Sequence, residues 1–177
     1  MKLTREKGFT LAEFLIITFI TGILSTLMIM SSAKAVASQK TTAIIHDLLK
    51  CKRAVLACCA DDPGALRRDD SAEEIAKYLN AEVTPLKNGA KYINCSSNDE
   101  AYFNVISMED QEASLLFIEY YAPDVNFEKN LLKGLAQYAK PLRLYKSLED
   151  LSDSNLISAA DKKITSSFYM LAHEVKK

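Results

Sequence analysis

Apolar positions crowd the start of this chain and settle into regular patterns after it. From Phe9 to Met30 the sequence reads FTLAEFLIITFITGILSTLMIM, with one charge, Glu13, and one residue that weakens helices, Gly22. At ~1.5 Å per helical residue the run spans about 33 Å, enough to cross a hydrocarbon core of about 30 Å. Residues 9–30 are therefore predicted to form a transmembrane helix. The stretch before them, MKLTREKG, carries Lys2, Arg5 and Lys7 against Glu6. By the positive-inside rule this basic flank keeps the N-terminus cytoplasmic and sends everything after Met30 to the other side. A cleaved secretory signal begins in the same way, but its apolar stretch is only about 7–15 residues long and ends in a small-x-small site. Ser31-Ser32-Ala33-Lys34-Ala35 matches such a site poorly.

The helical pattern continues beyond Met30. Ala37, Thr41, Ile44, Leu48, Cys51, Val55 and Cys58 recur at spacings of four and three, and Ile45, Leu49, Leu56 and Cys59 widen that stripe. Lys40, Asp47, Lys50, Lys52 and Arg53 fall off the stripe or at its edge, and Asp61-Asp62-Pro63-Gly64 stops the helix. Residues 31–62 read as the amphipathic second half of one helix, about 78 Å long from Phe9 to Ala60 at ~1.5 Å per residue.

Residues 63–177 read as a globular head. Ser71-Ala72-Glu73-Glu74 is a capping box in front of a short helix over 72–80. Two runs rich in aromatic and β-branched residues, 91–95 (KYINC) and 101–108 (AYFNVISM), bracket a turn at Ser96-Ser97-Asn98-Asp99. A third strand, 114–122 (SLLFIEYYA), ends at Pro123-Asp124. The simplest arrangement is a small antiparallel sheet laid across the second half of the long helix. Leu131, Leu132, Leu135 and Tyr138 share a face, predicting a helix that Pro141 ends. Residues 147–156 and 159–175 read as further helices, with a strand over 165–169 as the alternative. The predicted class is α+β, with additional C-terminal helices.

Composition narrows the function. The 177 residues are 49% hydrophobic and 25% charged, with a net charge of -1 and a mean hydropathy of -0.04. A charge so near zero argues against binding nucleic acid by phosphate neutralisation. The apolar fraction argues against disorder. Tyr120-Tyr121 and Tyr102-Phe103 have rings that stack on bases in some DNA-binding proteins, but alternating strand aromatics are better read as core.

Glu13 changes the picture most. A carboxylate in a membrane segment costs about 2.5–3.5 kcal/mol at the helix centre and less toward the end, so it usually has a partner. Plain solvation at headgroup depth is the alternative. The string Lys7-Gly8-Phe9-Thr10-Leu11-Ala12-Glu13-Phe14 before an apolar run resembles the N-terminal signature of type IV pilins and of the pseudopilins of type II secretion systems. The basic leader, the Gly-Phe junction, the Thr-Leu pair and the Glu at the fifth position after the junction all match, over the first thirty residues or so.

The resemblance implies a lollipop fold, a long helix packed on a small sheet. It implies a leader, residues 1–8, cut by a prepilin peptidase between Gly8 and Phe9, and N-methylation of Phe9. Glu13 would pair with the terminal amine of a neighbouring subunit. The implied partners are the peptidase, an inner-membrane assembly platform, membrane lipid before assembly, and other pilins in a periplasmic or extracellular filament. Many pilins carry a proline about a third of the way along this helix; here that stretch is Met28-Ile29-Met30.

Four cysteines, Cys51, Cys58, Cys59 and Cys95, fall on the exported side, where disulfides are expected. Cys51 and Cys58 are about 10 Å apart along one helix and cannot bridge. Cys95, on a predicted strand, is in reach of Cys58 or Cys59; buried free thiols and intermolecular bonds are the alternatives. The cysteines lack paired C-x-x-C spacing, and Asp150, Asp153 and Asp161 lack EF-hand spacing, so no metal is expected. There is no Gly-rich phosphate loop, H-E-x-x-H or G-x-S-x-G, and His46 and His173 are the only histidines. His46 reads as a packing residue and His173 as exposed.

The expected function is thus structural, without catalysis or cofactor: a subunit of a type IV pilus-like filament. A minor pilin or pseudopilin of a secretion or DNA-uptake system is the second reading. A single-pass anchored domain with a sensing or enzymatic head is the third.

Overall fold

The computed structural model describes residues 10–62, 71–85, 91–94, 101–109, 113–127, 129–161 and 164–176. A helix, α1, runs from Leu11 to Asp61. By its contacts the chain divides into two units, Met1–Val36 and Ala37–Lys177.

In the first unit every described side chain, from Thr10 to Val36, is exposed. The apolar ones point in all directions, from Leu11 at 80% exposure to Phe19 at 70% and Met28 at 73%. The hydroxyls scattered among them bond back into the helix. Thr18 donates to Phe14 O at 3.1 Å, Thr21 to Ile17 O at 2.8 Å, Ser25 to Thr21 O at 2.8 Å and Thr26 to Gly22 O at 3.0 Å. Each of these four hydroxyls is satisfied inside its own segment, the condition that a hydrocarbon solvent imposes. This helix, near the N-terminus, is long and apolar enough to cross a membrane.

The second unit is α+β. After the last part of α1 come α2 (Ser71–Leu79), β1 (Glu82–Pro85), β2 (Lys91–Asn94), β3 (Tyr102–Glu109), β4 (Ala113–Phe127), α3 (Lys129–Leu142), β5 (Leu144–Tyr145) and β6 (Ile164–Lys176). The six strands form one antiparallel sheet in the order β1-β2-β3-β4-β6-β5. Ile44, Leu48, Cys51, Val55 and Cys58 of α1 share one core cluster with α2, with α3 and with the inner face of the sheet. At its centre Phe103, Tyr120, Phe127 and Phe168 pack ring to ring, with centroids 5.2–6.0 Å apart. The aromatics at Phe103 and Tyr120 are thus core.

α3 approaches α1 closely because Gly134 has no side chain. A β-carbon there would overlap Thr41 Oγ1 and stand 3.1 Å from Thr41 Cβ and Cγ2. The outer face of the sheet holds a smaller cluster, Phe117, Tyr145 and Leu171, against which Leu148, Leu151 and Leu156 of the following irregular segment pack. Asn155 holds that segment, donating through Nδ2 to Ser147 O at 2.8 Å.

Several expectations are corrected. Residues 147–156 are not helical; among them only Asp153–Asn155 form a 3-10 turn. The stretch 159–175 is not a helix either: most of it is β6, paired along β4. Phe168 to Ala172 is apolar on both faces, and an unbroken apolar run carries no period that separates a strand from a helix. β4 continues past Pro123 to Phe127 through a register shift between Tyr121 and Asn126. On α1, Asp47 is buried at 5% and Leu56 is 38% exposed, so the stripe is rotated slightly toward Asp47. The His46 side chain is 77% exposed and not a packing residue; His173 is half-buried. The turn at 96–99 lies outside the described residues.

Replacing a glycine by alanine in a helix ordinarily gains about 1 kcal/mol. At Gly134 the overlap with Thr41 costs about 1–3 kcal/mol and wins. Gly134→Ala is expected to lower the melting temperature, and Thr41→Ala in the same chain to restore most of it. A higher melting temperature for the single variant would contradict the close approach.

Candidate functional site

Two lone carboxylates interrupt apolar runs of this chain, and each sits in a defined local geometry. The first is Glu13, in the first turn of α1. Thr10 N donates to Glu13 Oε2 at 2.8 Å, the Thr10 hydroxyl donates to the same oxygen at 2.8 Å, and Glu13 N donates to Thr10 Oγ1 at 3.3 Å. This is a reciprocal capping box. The carboxylate complements the positive end of the helix dipole and meets the backbone nitrogen that directly follows Phe9. The T-x-x-E spacing signals it in the sequence, and the sequence reading passed over it. Gly8 and Phe9, the expected cleavage junction, lie outside the described residues, as does Cys95.

The remaining cysteine candidates sit near the end of α1. Cys58 is buried, Cys59 is half-buried, and both are free thiols. Burial pushes both thiols up, and for Cys58 the charges of Cys59, Glu74, Asp62 and Asp61 add to it. Thiols so held are poor nucleophiles at neutral pH. Beside them the Tyr78 hydroxyl donates to Asp61 Oδ2 at 2.6 Å, tying α2 to the end of α1. That bond pushes the phenol up to about 12.

The acidic residues of the C-terminal segment are used locally. Asp150 accepts from Ser152 N at 2.9 Å, and Asp161 accepts from Ser158 N at 2.7 Å. Among the described residues no three His, Cys, Asp or Glu side chains gather in a metal-binding group.

The second lone carboxylate, Glu119, was not singled out from the sequence, although an acid in the middle of SLLFIEYYA is the same signal that drew attention to Glu13. It lies at the middle of β4, opposite Asn104 of β3 and Tyr169 of β6, and is 9% exposed. Asn104 Nδ2 donates to Oε2 at 3.5 Å and the Tyr169 hydroxyl to Oε1 at 3.4 Å; the hydroxyls of Ser167 and Tyr92 also favour the charged carboxylate. Burial pushes the carboxyl above its ordinary 4.5, and these hydrogen bonds only partly counter it. The Tyr92 and Tyr121 rings lie 5.4 Å apart beside it.

No protein-family model, curated protein or solved structure matches this chain.

The folded chain holds the Glu119 proton more tightly than the unfolded chain does. Its contribution to stability is therefore full below the unfolded value and is lost as pH rises through the raised folded value. Glu119→Gln, neutral at every pH, is expected to raise the melting temperature at neutral pH. It should also remove this contribution to the decline in stability above pH 4.5. Circular dichroism melts across that range test this, and an unchanged slope in the variant would contradict it.

Proposed function

We propose that this chain is a structural subunit of a type IV pilus-like filament, cut by a prepilin peptidase and assembled from the inner membrane. The observation that carries the reading is the first unit: an apolar helix, exposed at every described residue, whose one acid is held at its N-terminal end beside Thr10. The prepilin-like string from Lys7 to Phe14 supplies the rest.

Cleavage after Gly8 would create an amine at Phe9. In a bundle of such helices, the amine of one subunit and Glu13 of another would meet away from water. Opposite charges ~4 Å apart attract by ~4 kcal/mol at an effective dielectric of ~20. That offsets the cost of about 2.5–3.5 kcal/mol for a carboxylate at the centre of a membrane helix. An unpaired subunit would forgo this gain, so the pairing selects one axial stagger between neighbours. Before assembly, lipid would cover the same apolar surface. The role is structural, with no catalytic step assigned to any residue.

A minor pilin or pseudopilin shares every one of these features. A strongly helical head would have favoured that reading, and β6 in place of the last helix removes that support.

The mature protein isolated from cells that contain the peptidase is expected to lack residues 1–8 and to carry one added methyl group, as read by intact mass. A chain that retains Met1 in such cells would overturn the filament reading. Glu13→Val is expected to leave leader removal intact and to abolish or strongly reduce filaments sheared from the cell surface. Filaments of normal yield and subunit spacing from that variant would contradict the pairing.

A further inference from the structure

The outer face of the sheet has two unlike ends. One is apolar, where Phe117, Tyr145 and Leu171 meet the leucines of the C-terminal segment. At the other, Tyr92, Tyr102, Asn104, Tyr121, Ser167 and Tyr169 surround Glu119. The register sets this row: Asn104 pairs with Glu119 and Glu119 with Tyr169, while Tyr102 pairs with Tyr121 and Tyr121 with Ser167. Glu119 and Tyr92 are buried, whereas Tyr102, Asn104, Tyr121, Ser167 and Tyr169 are half-buried and offer surface to a ligand.

The four groups that favour the charged Glu119 carboxylate, one amide and three hydroxyls, are all uncharged. Asn104 engages one carboxylate oxygen at 3.5 Å and Tyr169 the other at 3.4 Å, and none of the four removes the negative charge. The half-buried rings of Tyr102, Tyr121 and Tyr169 share this face of the sheet, and the face of a tyrosine ring is negative. A cation over this patch is therefore attracted by the carboxylate and by the rings together. Because both oxygens already accept a hydrogen bond, a cation that must donate N–H bonds competes with Asn104 and Tyr169 for them. A methylated cation donates none and loses nothing.

The geometry points to this patch as a binding site for a quaternary, methylated ammonium group. Glu119 supplies the charge, and the rings of Tyr102, Tyr121 and Tyr169 supply the contact surface. The site lies in the second unit and is independent of any role of Glu13 in assembly.

The full chain in dodecyl maltoside micelles, a detergent without an ammonium group, is titrated with tetramethylammonium chloride. Ammonium chloride and sodium chloride at equal ionic strength run in parallel, and amide and tyrosine-ring NMR shifts are read. Saturable shifts at β3, β4 and β6 are expected with tetramethylammonium, and binding about tenfold weaker with ammonium. Glu119→Gln preserves shape and removes the charge, and should weaken tetramethylammonium by about tenfold. Tyr121→Leu removes one ring without touching a donor to Glu119, and should weaken it too.

Shifts no different from those with sodium chloride would overturn the site. So would ammonium binding as tightly as tetramethylammonium, or a Glu119→Gln variant that binds unchanged. Glycine betaine and phosphocholine form a second arm, separating a free solute from a headgroup. Binding of either as tight as tetramethylammonium supports the site, and the tighter one names the source; rejection of both overturns it.

Discussion

Between Leu11 and Val36, α1 presents leucine, isoleucine, phenylalanine and methionine side chains on every side, all of them exposed. Water tolerates apolar patches of a few hundred Å² on a soluble protein, and a continuous apolar helix surface exceeds that. Such a surface suits another solvent, either lipid or the matching surface of other helices. Both require that no hydrogen-bonding group be left open. The back-bonded hydroxyls of Thr18, Thr21, Ser25 and Thr26 meet that requirement locally. Glu13 meets part of it through Thr10.

From Ala37 onward the same helix serves water and protein instead. One stripe of it, from Thr41 to Cys58, is buried with α2, α3 and the sheet in a single cluster, and the rest faces solvent. The two demands are met by changing residue types along one uninterrupted element rather than by a break. Gly134 shows how closely the second demand is tuned, since α3 reaches Thr41 only where it lacks a side chain. The two lone acids divide along the same line. Glu13 is exposed at a helix end, where a dipole favours its charge, whereas Glu119 is buried in a sheet among neutral donors that tolerate its charge without cancelling it.

The long helix, the short α2, three of the strands and α3 were legible in the sequence because each carries a period or a stop signal. Ile44, Leu48, Cys51 and Val55 repeat at helical spacing, and all four are core. β6 was misread because Phe168 to Ala172 has no polar gap to set a period. β1 and β5 were missed because four and two residues are too short to show one. Of the candidate site residues, Glu13 announced itself as a charge in an apolar run, yet its bonds with Thr10 were overlooked although T-x-x-E spells them out. Glu119 carried the same signal and was read as one letter of a strand. Its neighbours Asn104, Tyr169 and Tyr92 come from other strands, and only the pairing register brings them together.

The edges of the sheet bear on how copies of such a chain would associate. An open edge offers unpaired N–H and C=O groups and invites strand-to-strand growth. Here one edge is β1, four residues ending in Pro85, which has no N–H to give. The other is β5, only two residues long, with Tyr145 already bridged to Leu156. Beside them the longer strands are covered only in part among the described residues: β5 pairs with Tyr169 and Met170 of the thirteen-residue β6, and β2 with Phe103 of the eight-residue β3. Most of the exposed large hydrophobic side chains lie instead on α1, between Leu11 and Val36. If copies assemble as proposed, apolar burial along that helix would drive them together, and a single charge pair there would be enough to select an axial stagger.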